Sequence, residues 1–114
     1  MKILVIIPTY NESKTIEKIV HRIFSINKNY NILIVDDASP DGTRLIVEQM
    51  QKENPGLFLL NREKKEGIGT AYCAGFKWAI DKKYEKVVQI DADLSHNPDD
   101  IPVLIEHSEK YDLV

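Results

Sequence analysis

The chain has 114 residues, enough for one hydrophobic core and too few for two. With 43% hydrophobic residues, 29% charged residues and a net charge of −3, it has the composition of a folded globular domain, which excludes capture of nucleic acid by bulk electrostatics. A single cysteine, Cys73, cannot form an internal disulfide, and no stretch approaches the roughly 20 apolar residues of a membrane span, so the chain is expected to be soluble and cytosolic.

Ile3 to Ile7 is a continuous β-branched and leucine run, the pattern of a strand buried on both faces of a parallel sheet, with Pro8 expected to interrupt it. Ile16, Ile19, Val20, Ile23 and Phe24 then recur as one apolar helix stripe. Asn31 to Val35 reads as a second buried strand and Asp36 to Gly42 as a turn. Thr43 to Glu53 reads as a helix with Leu45, Ile46 and Met50 inward, ended by Asn54, Pro55 and Gly56. Leu57 to Leu60 is a short third strand, followed by a charged loop. Ile68, Ala71, Tyr72, Gly75, Phe76, Ala79 and Ile80 share one helical face, Gly75 suiting close approach to a sheet, and Cys73 reads as structural filler within that helix. Lys86 to Ile90 is a fourth strand, Asp99 to Glu109 a helix with Ile101, Leu104 and Ile105 inward, and Tyr111 to Val114 the start of a fifth strand. Alternating strands and helices of this kind predict a mostly parallel sheet with helices on both faces, whose chemistry gathers at the carboxyl ends of the strands.

Pro8-Thr9-Tyr10-Asn11-Glu12 follows the first strand, Asp36-Asp37-Ala38-Ser39-Pro40-Asp41-Gly42-Thr43 the second, and Asp91-Ala92-Asp93-Leu94-Ser95-His96 the fourth. Carboxylates thus converge on one sheet edge, where a shared Mg2+ or Mn2+ ion would relieve their repulsion, while one Cys and three scattered His give no zinc-ligand spacing. On an extended segment Asp91 and Asp93 point the same way, so one can serve a metal and the other a sugar or ribose hydroxyl; the competing reading is a turn with helix-capping acids. An ionised Asp37 only accepts hydrogen bonds, which suits guanine or uracil N3–H and repels adenine and cytosine. Glu12 reads either as a first-turn helix acid or as a base or ribose contact, and Tyr10 as a base-stacking ring or a cover for the sheet edge. Asp41-Gly42-Thr43 reads as a turn and helix start rather than a ligand site. Arg62 to Glu66 before Gly67 and Gly69 reads as a solvated charged loop, since it has neither a P-loop ending nor a dinucleotide fingerprint. His21 and His107 read as surface residues. His96 could touch donor phosphate or acceptor, or simply order its loop.

These three segments, with Glu66-Gly67-Ile68-Gly69-Thr70-Ala71-Tyr72 between the second and the third, occur in an order and spacing that resembles the family 2 glycosyltransferases of GT-A (Rossmann-like) fold. The Asp91 to His96 and Ser39 to Thr43 segments look most like the dolichol-phosphate (polyprenol-phosphate) mannosyltransferases of that family. The resemblance covers residues 1–114 as the N-terminal, nucleotide-sugar-binding part of a single domain, truncated before its second half. It implies that Pro8, Tyr10, Glu12, Val35 and Asp37 line a guanosine site and that Asp91, Ala92 and Asp93 hold the sugar diphosphate. It makes Asp91 and Asp93 the catalytic residues, with Asp93 as metal ligand beside Asp91 and Ser95; the family often carries Gln at the position of Ser95. The implied reaction moves mannose from GDP-mannose to a polyprenyl or dolichyl phosphate with inversion, using Mg2+ or Mn2+, at the cytosolic face of a membrane. An anchoring partner or a C-terminal anchor outside this chain would hold the enzyme there.

That chemistry is coherent with the residues. The nucleophile is a phosphate oxygen already ionised at neutral pH, so positioning and neutralisation of the leaving diphosphate matter more than a strong general base. The chain by itself is expected to bind donor without transferring sugar. Competing readings are a UDP-sugar-dependent member of the same family and a nucleotide-binding module without turnover. A receiver-type signalling domain fits poorly, because its acid pair belongs after the first strand, where Pro8 and Thr9 stand.

Overall fold

The computed structural model describes residues 2–63 and 68–90. Its elements are β1 (Ile3–Thr9), α1 (Ile16–Ile26), β2 (Asn31–Asp36), α2 (Thr43–Gln51), β3 (Leu57–Asn61), α3 (Ile68–Asp81) and β4 (Lys86–Gln89). The expected helix over 99–109 and strand over 111–114 lie outside the described residues. The four strands form one parallel sheet in the order β3-β2-β1-β4. The chain therefore steps outward from β1 through β2 to β3, then returns to pair β4 on the free side of β1. That reversal beside β1 makes the carboxyl end of β1 and β4 the switch point of the sheet, where open α/β folds bind ligands.

Alternation along the strands builds two cores, one on each face of the sheet. Val5, Ile7, Ile32, Ile34 and Val88 face α1 and α2, while Leu4, Ile6, Leu33, Val35 and Val87 face α3. A strand buried on both sides has no polar face to offer, which is why the sequence of β1 is apolar without a break. Ile16, Ile19, Val20 and Ile23 are the buried stripe of α1, as their spacing predicts.

α3 comes unusually close to the sheet. Ala71, Gly75 and Ala79 lie on its buried side, and a Cβ added at Gly75 would stand 2.9 Å from Ile6 Cγ2. Only a residue without a side chain permits that separation.

The structure corrects the reading of several residues. Pro8 does not end β1, which continues to Thr9 with Pro8 beside Val35 and Thr9 beside Asp36. Alternate residues of a strand bond to opposite neighbours, so Pro8 shares the β4 side with Ile6, where the paired register ends at Gln89, and its missing N–H interrupts no bond to β2. Leu45 is 66% exposed, whereas Thr43, Val47 and Met50 make the buried stripe of α2. Ile80 is 74% exposed: each step of four residues overshoots a helical turn by about 40°, so the row Tyr72, Phe76, Ile80 rotates out of contact. Cys73 is exposed and is not core filler. Among the described residues no helix is long and apolar enough to cross a membrane.

Candidate functional site

Three strands end side by side. Thr9 pairs with Asp36, and Asp36 with Asn61, so Tyr10, Asp37 and Arg62 leave the sheet from adjacent positions. The ladder runs one residue further than the strands, with Asp37 N–H donating to Thr9 O (3.0 Å) and Arg62 N–H to Asp36 O (2.8 Å). Backbone pairing thus fixes where these side chains start.

Asp36 and Asp37 are both buried, and each meets a different partner. Asp36 accepts from Thr9 Oγ1 at 2.7 Å, from Ser39 Oγ at 2.6 Å and from Ser39 N–H at 3.0 Å. Asp37 forms an ion pair with Arg62, Oδ1 to Nε 3.0 Å, with side chains 6% and 10% exposed. Arg62 Nη2 also donates to Thr70 Oγ1 at 2.9 Å, tying β3 to the first turn of α3. For these two the charge is met within the protein, Asp36 by hydrogen bonds from Thr9 and Ser39 and Asp37 by the Arg62 cation, so neither needs a shared metal ion to offset its neighbour. Arg62 is likewise no member of a solvated loop. Its place one residue beyond Asn61, the partner of Asp36, is set by the register of β2 and β3, which the charged run in the sequence does not show. Residues 64–67 lie outside the described residues.

The other nucleoside-site candidates share this edge. Pro8 and Val35 are cross-strand neighbours and both buried, Val35 within the core on the α3 face, one residue below Asp36. Tyr10 and Glu12 are half-buried on the loop that leaves β1. That loop turns at Asn11 (φ 59°), and the loop after β2 turns at Ala38 (φ 59°); both are left-handed conformations that non-glycine residues seldom adopt. A cleft of about 390 Å3 opens beside them, lined by Asp36, Ala38, Ser39, Arg44, Asn61, Arg62 and Glu63. A more apolar hollow of about 530 Å3, lined in part by His21, Phe24 and Gly56, is lined from the opposite, amino ends of the strands.

Asp41 reads as expected, at a helix start. Gly42 precedes α2 with φ 89°, and Asp41 Oδ1 accepts from Thr43 N–H at 3.1 Å. Burial pulls the Asp41 carboxyl upward, but hydrogen bonds from Thr43 and Ser13 outweigh it and leave the group at about 2.

An ionised carboxylate beside a guanidinium presents an acceptor next to donors. Guanine and uracil each present an N–H next to a carbonyl oxygen, which the Asp37–Arg62 pair complements, while the adjacent amine and ring acceptor of adenine and cytosine meet the same pair, so these two side chains alone do not choose the base. Asp91, Ala92, Asp93, Ser95 and His96 lie outside the described residues. The chain reaches them from β4, where Ile90 N–H donates to Ile6 O at 3.1 Å, beside the strand that carries Pro8. Among the described residues no group of three or more His, Cys, Asp or Glu is placed to hold a metal ion.

The undecaprenyl-phosphate mannosyltransferase of Micrococcus luteus is 41% identical over 114 residues, which is 100% of this chain and 47% of that protein. The chain thus spans about half the length of this curated relative. Among solved structures, the mannosyltransferase PcManGT from Pyrobaculum calidifontis in complex with GDP-Man and Mn2+ superposes with a TM-score of 0.81 at 28% identity, over 95% of this chain and 32% of that one. TarS 1–349 from S. aureus in complex with UDP gives a TM-score of 0.77 at 26% identity, over 96% of this chain and 32% of that one. The parallel sheet and its flanking helices are therefore those of glycosyltransferases. The model of glycosyl transferase family 2 matches residues 4–114, and the chain belongs to that family.

Proposed function

We propose that residues 1–114 are the donor-binding part of an inverting glycosyltransferase that moves mannose from GDP-mannose to a polyprenyl or dolichyl phosphate. The observation that carries this reading is the buried Asp37–Arg62 pair at the carboxyl edge of the sheet, next to the switch point at which β4 delivers the chain to Asp91. The pair supplies acceptor and donors for a base with adjacent N–H and carbonyl groups. Tyr10 and Glu12 would complete the nucleoside site, over a floor made by Pro8 and Val35. The relative named for undecaprenyl phosphate supports a polyprenyl phosphate acceptor, and the neighbour with GDP-Man and Mn2+ supports the donor.

The resemblance to the family implies that Asp93, with Asp91 and Ser95, would give the hard oxygen ligands for a divalent ion, a role that Asp36 and Asp37, already engaged by protein groups, need not share. A bound Mg2+ or Mn2+ ion there supplies neutralisation of charge on the leaving diphosphate. The acceptor phosphate is ionised at neutral pH, so the protein's task is to align it opposite the leaving group rather than to remove a proton. Transfer by this chain alone is not expected.

Calorimetric titration with GDP, UDP and GDP-mannose, with and without Mn2+, tests the reading. Binding that prefers guanosine and strengthens with Mn2+ is the expected result. A preference for uridine keeps the site and moves the donor to a UDP-sugar, a second reading favoured by the equal fit of the Asp37–Arg62 pair to uracil. No binding by the folded chain removes the donor site.

A further inference from the structure

Three consecutive backbone amides between β1 and α1 donate not to backbone carbonyls but to side chains of the β2–α2 loop and the first residue of α2. Asn11 N–H meets Ser39 Oγ at 2.9 Å, Glu12 N–H meets Thr43 Oγ1 at 3.1 Å, and Ser13 N–H meets Asp41 Oδ2 at 3.1 Å. The two hydroxyls are fixed in turn, because Ser39 Oγ donates to Asp36 Oδ1 and Thr43 Oγ1 to Asp41 Oδ1. A hydroxyl that donates to a carboxylate keeps its lone pairs for an amide, so each carboxylate orients the acceptor the β1 loop needs. Asp36 is the inner anchor, 2% exposed, and holds the end of β1 itself through Thr9 Oγ1. Asp41 is the outer one, at the start of α2.

We infer that Asp36, Ser39, Asp41 and Thr43 are positioning residues that fasten the loop carrying Tyr10 and Glu12 to the loop carrying Asp37, making the two sides of the nucleoside site one rigid cradle. The inference rests on the nucleotide reading given above. It accounts for a spacing that the ligand contacts leave unexplained: the second loop needs four oxygen-bearing side chains because three amides and one strand end must be met. It also has a chemical corollary. The amides of Asn11, Glu12 and Ser13 are thereby taken up within the protein and are not open to a donor phosphate.

Two measurements on the chain test this. Hydrogen exchange reads the latch without ligand, and GDP titration in Mn2+ reads its purpose. Ser39→Ala should speed exchange at Asn11 while Val5 to Ile7 stay protected, and should weaken GDP binding roughly tenfold, the scale of one lost hydrogen-bond network. Ser39→Thr, which keeps the hydroxyl, should restore both. Asp41→Asn, at an exposed position, should speed exchange at Ser13 and weaken binding in the same sense. Unchanged exchange at residues 11–13 would overturn the latch. Faster exchange with unchanged GDP affinity would overturn its positioning role and leave the nucleotide reading standing. If the unsubstituted chain bound neither GDP nor UDP while the variants still loosened the loop, the nucleotide reading itself would fall and take the cradle's purpose with it.

Discussion

Arg62 Nε lies 3.0 Å from Asp37 Oδ1, so the carboxylate at the end of β2 is neutralised by a cation from the end of β3, with both side chains almost fully buried. Removing one partner leaves the other charge without its counter-ion, which costs more than the pair contributes. Arg62→Ala should lower stability by about 3 kcal/mol in urea unfolding. Asp37→Asn combined with Arg62→Gln should recover part of that loss, because two neutral amides leave no stranded charge. Recovery would separate the structural share of the pair from its share in base recognition, since GDP affinity should stay low in the double variant.

The contact of Gly75 with Ile6 sets two effects against each other. Alanine favours a helix over glycine by about 1 kcal/mol, while overpacking a filled core costs about 1–3 kcal/mol. Ile6 is fully buried and meets the added carbon with both Cγ2 (2.9 Å) and Cδ1 (3.0 Å), so the clash should win. Gly75→Ala is expected to lower the thermal midpoint by several degrees, about 4–8 °C per kcal/mol for a domain of this size. A rise in the midpoint would mean that α3 can lift off the sheet.

Asp41 gives a pH dependence with a definite sign. Its folded carboxyl sits at about 2 against an ordinary value near 3.8, so the folded chain prefers the ionised form. The stabilisation is present above about pH 4 and is lost as pH falls through the folded value. Urea midpoints measured from pH 5 down to pH 2 should fall less steeply in Asp41→Asn than in the parent. The group is exposed, so the difference should be small and should appear only in that acid window.

The proposed division between nucleoside and metal sites predicts two kinds of variant. Asp93→Ala should abolish the gain in GDP affinity that Mn2+ brings and leave metal-free binding unchanged. Asp37→Asn should weaken GDP with and without Mn2+ alike, and chelation by EDTA should reproduce the first pattern in the parent. If both variants lost the same fraction of affinity under both conditions, the two sites would not be separable in this way.

How much of this could be read from the residues depends on what carried the signal. The strands were legible because burial on both faces leaves uninterrupted runs such as Ile3 to Ile7, and α1 because its stripe is regular. α2 was misread at Leu45 since an apolar residue outweighs a threonine in any periodicity, whereas Thr43 is buried because its hydroxyl is bound on both sides. Pro8 was misread because which neighbour its missing N–H would face is a property of the sheet, not of the chain. Asp37 could be singled out from its place after a strand. Its partner Arg62 could not, because register between β2 and β3 decides that meeting and the local sequence only shows a charged run.

The sheet order has a consequence for how the chain folds. β1 sits between a near neighbour and a distant one: Leu4 meets Asn31 on one side and Val87 on the other. As the chain leaves the ribosome, β1 can pair with β2 early, while its second edge waits for a segment more than two helices away. Throughout that interval the most apolar strand of the molecule exposes a row of open hydrogen-bonding groups, the feature that templates pairing between chains. Synthesis that stalls before β4 emerges should therefore yield aggregation through β1, and inclusion-body formation should track the presence of residues 86–89 more closely than the stability of the finished fold.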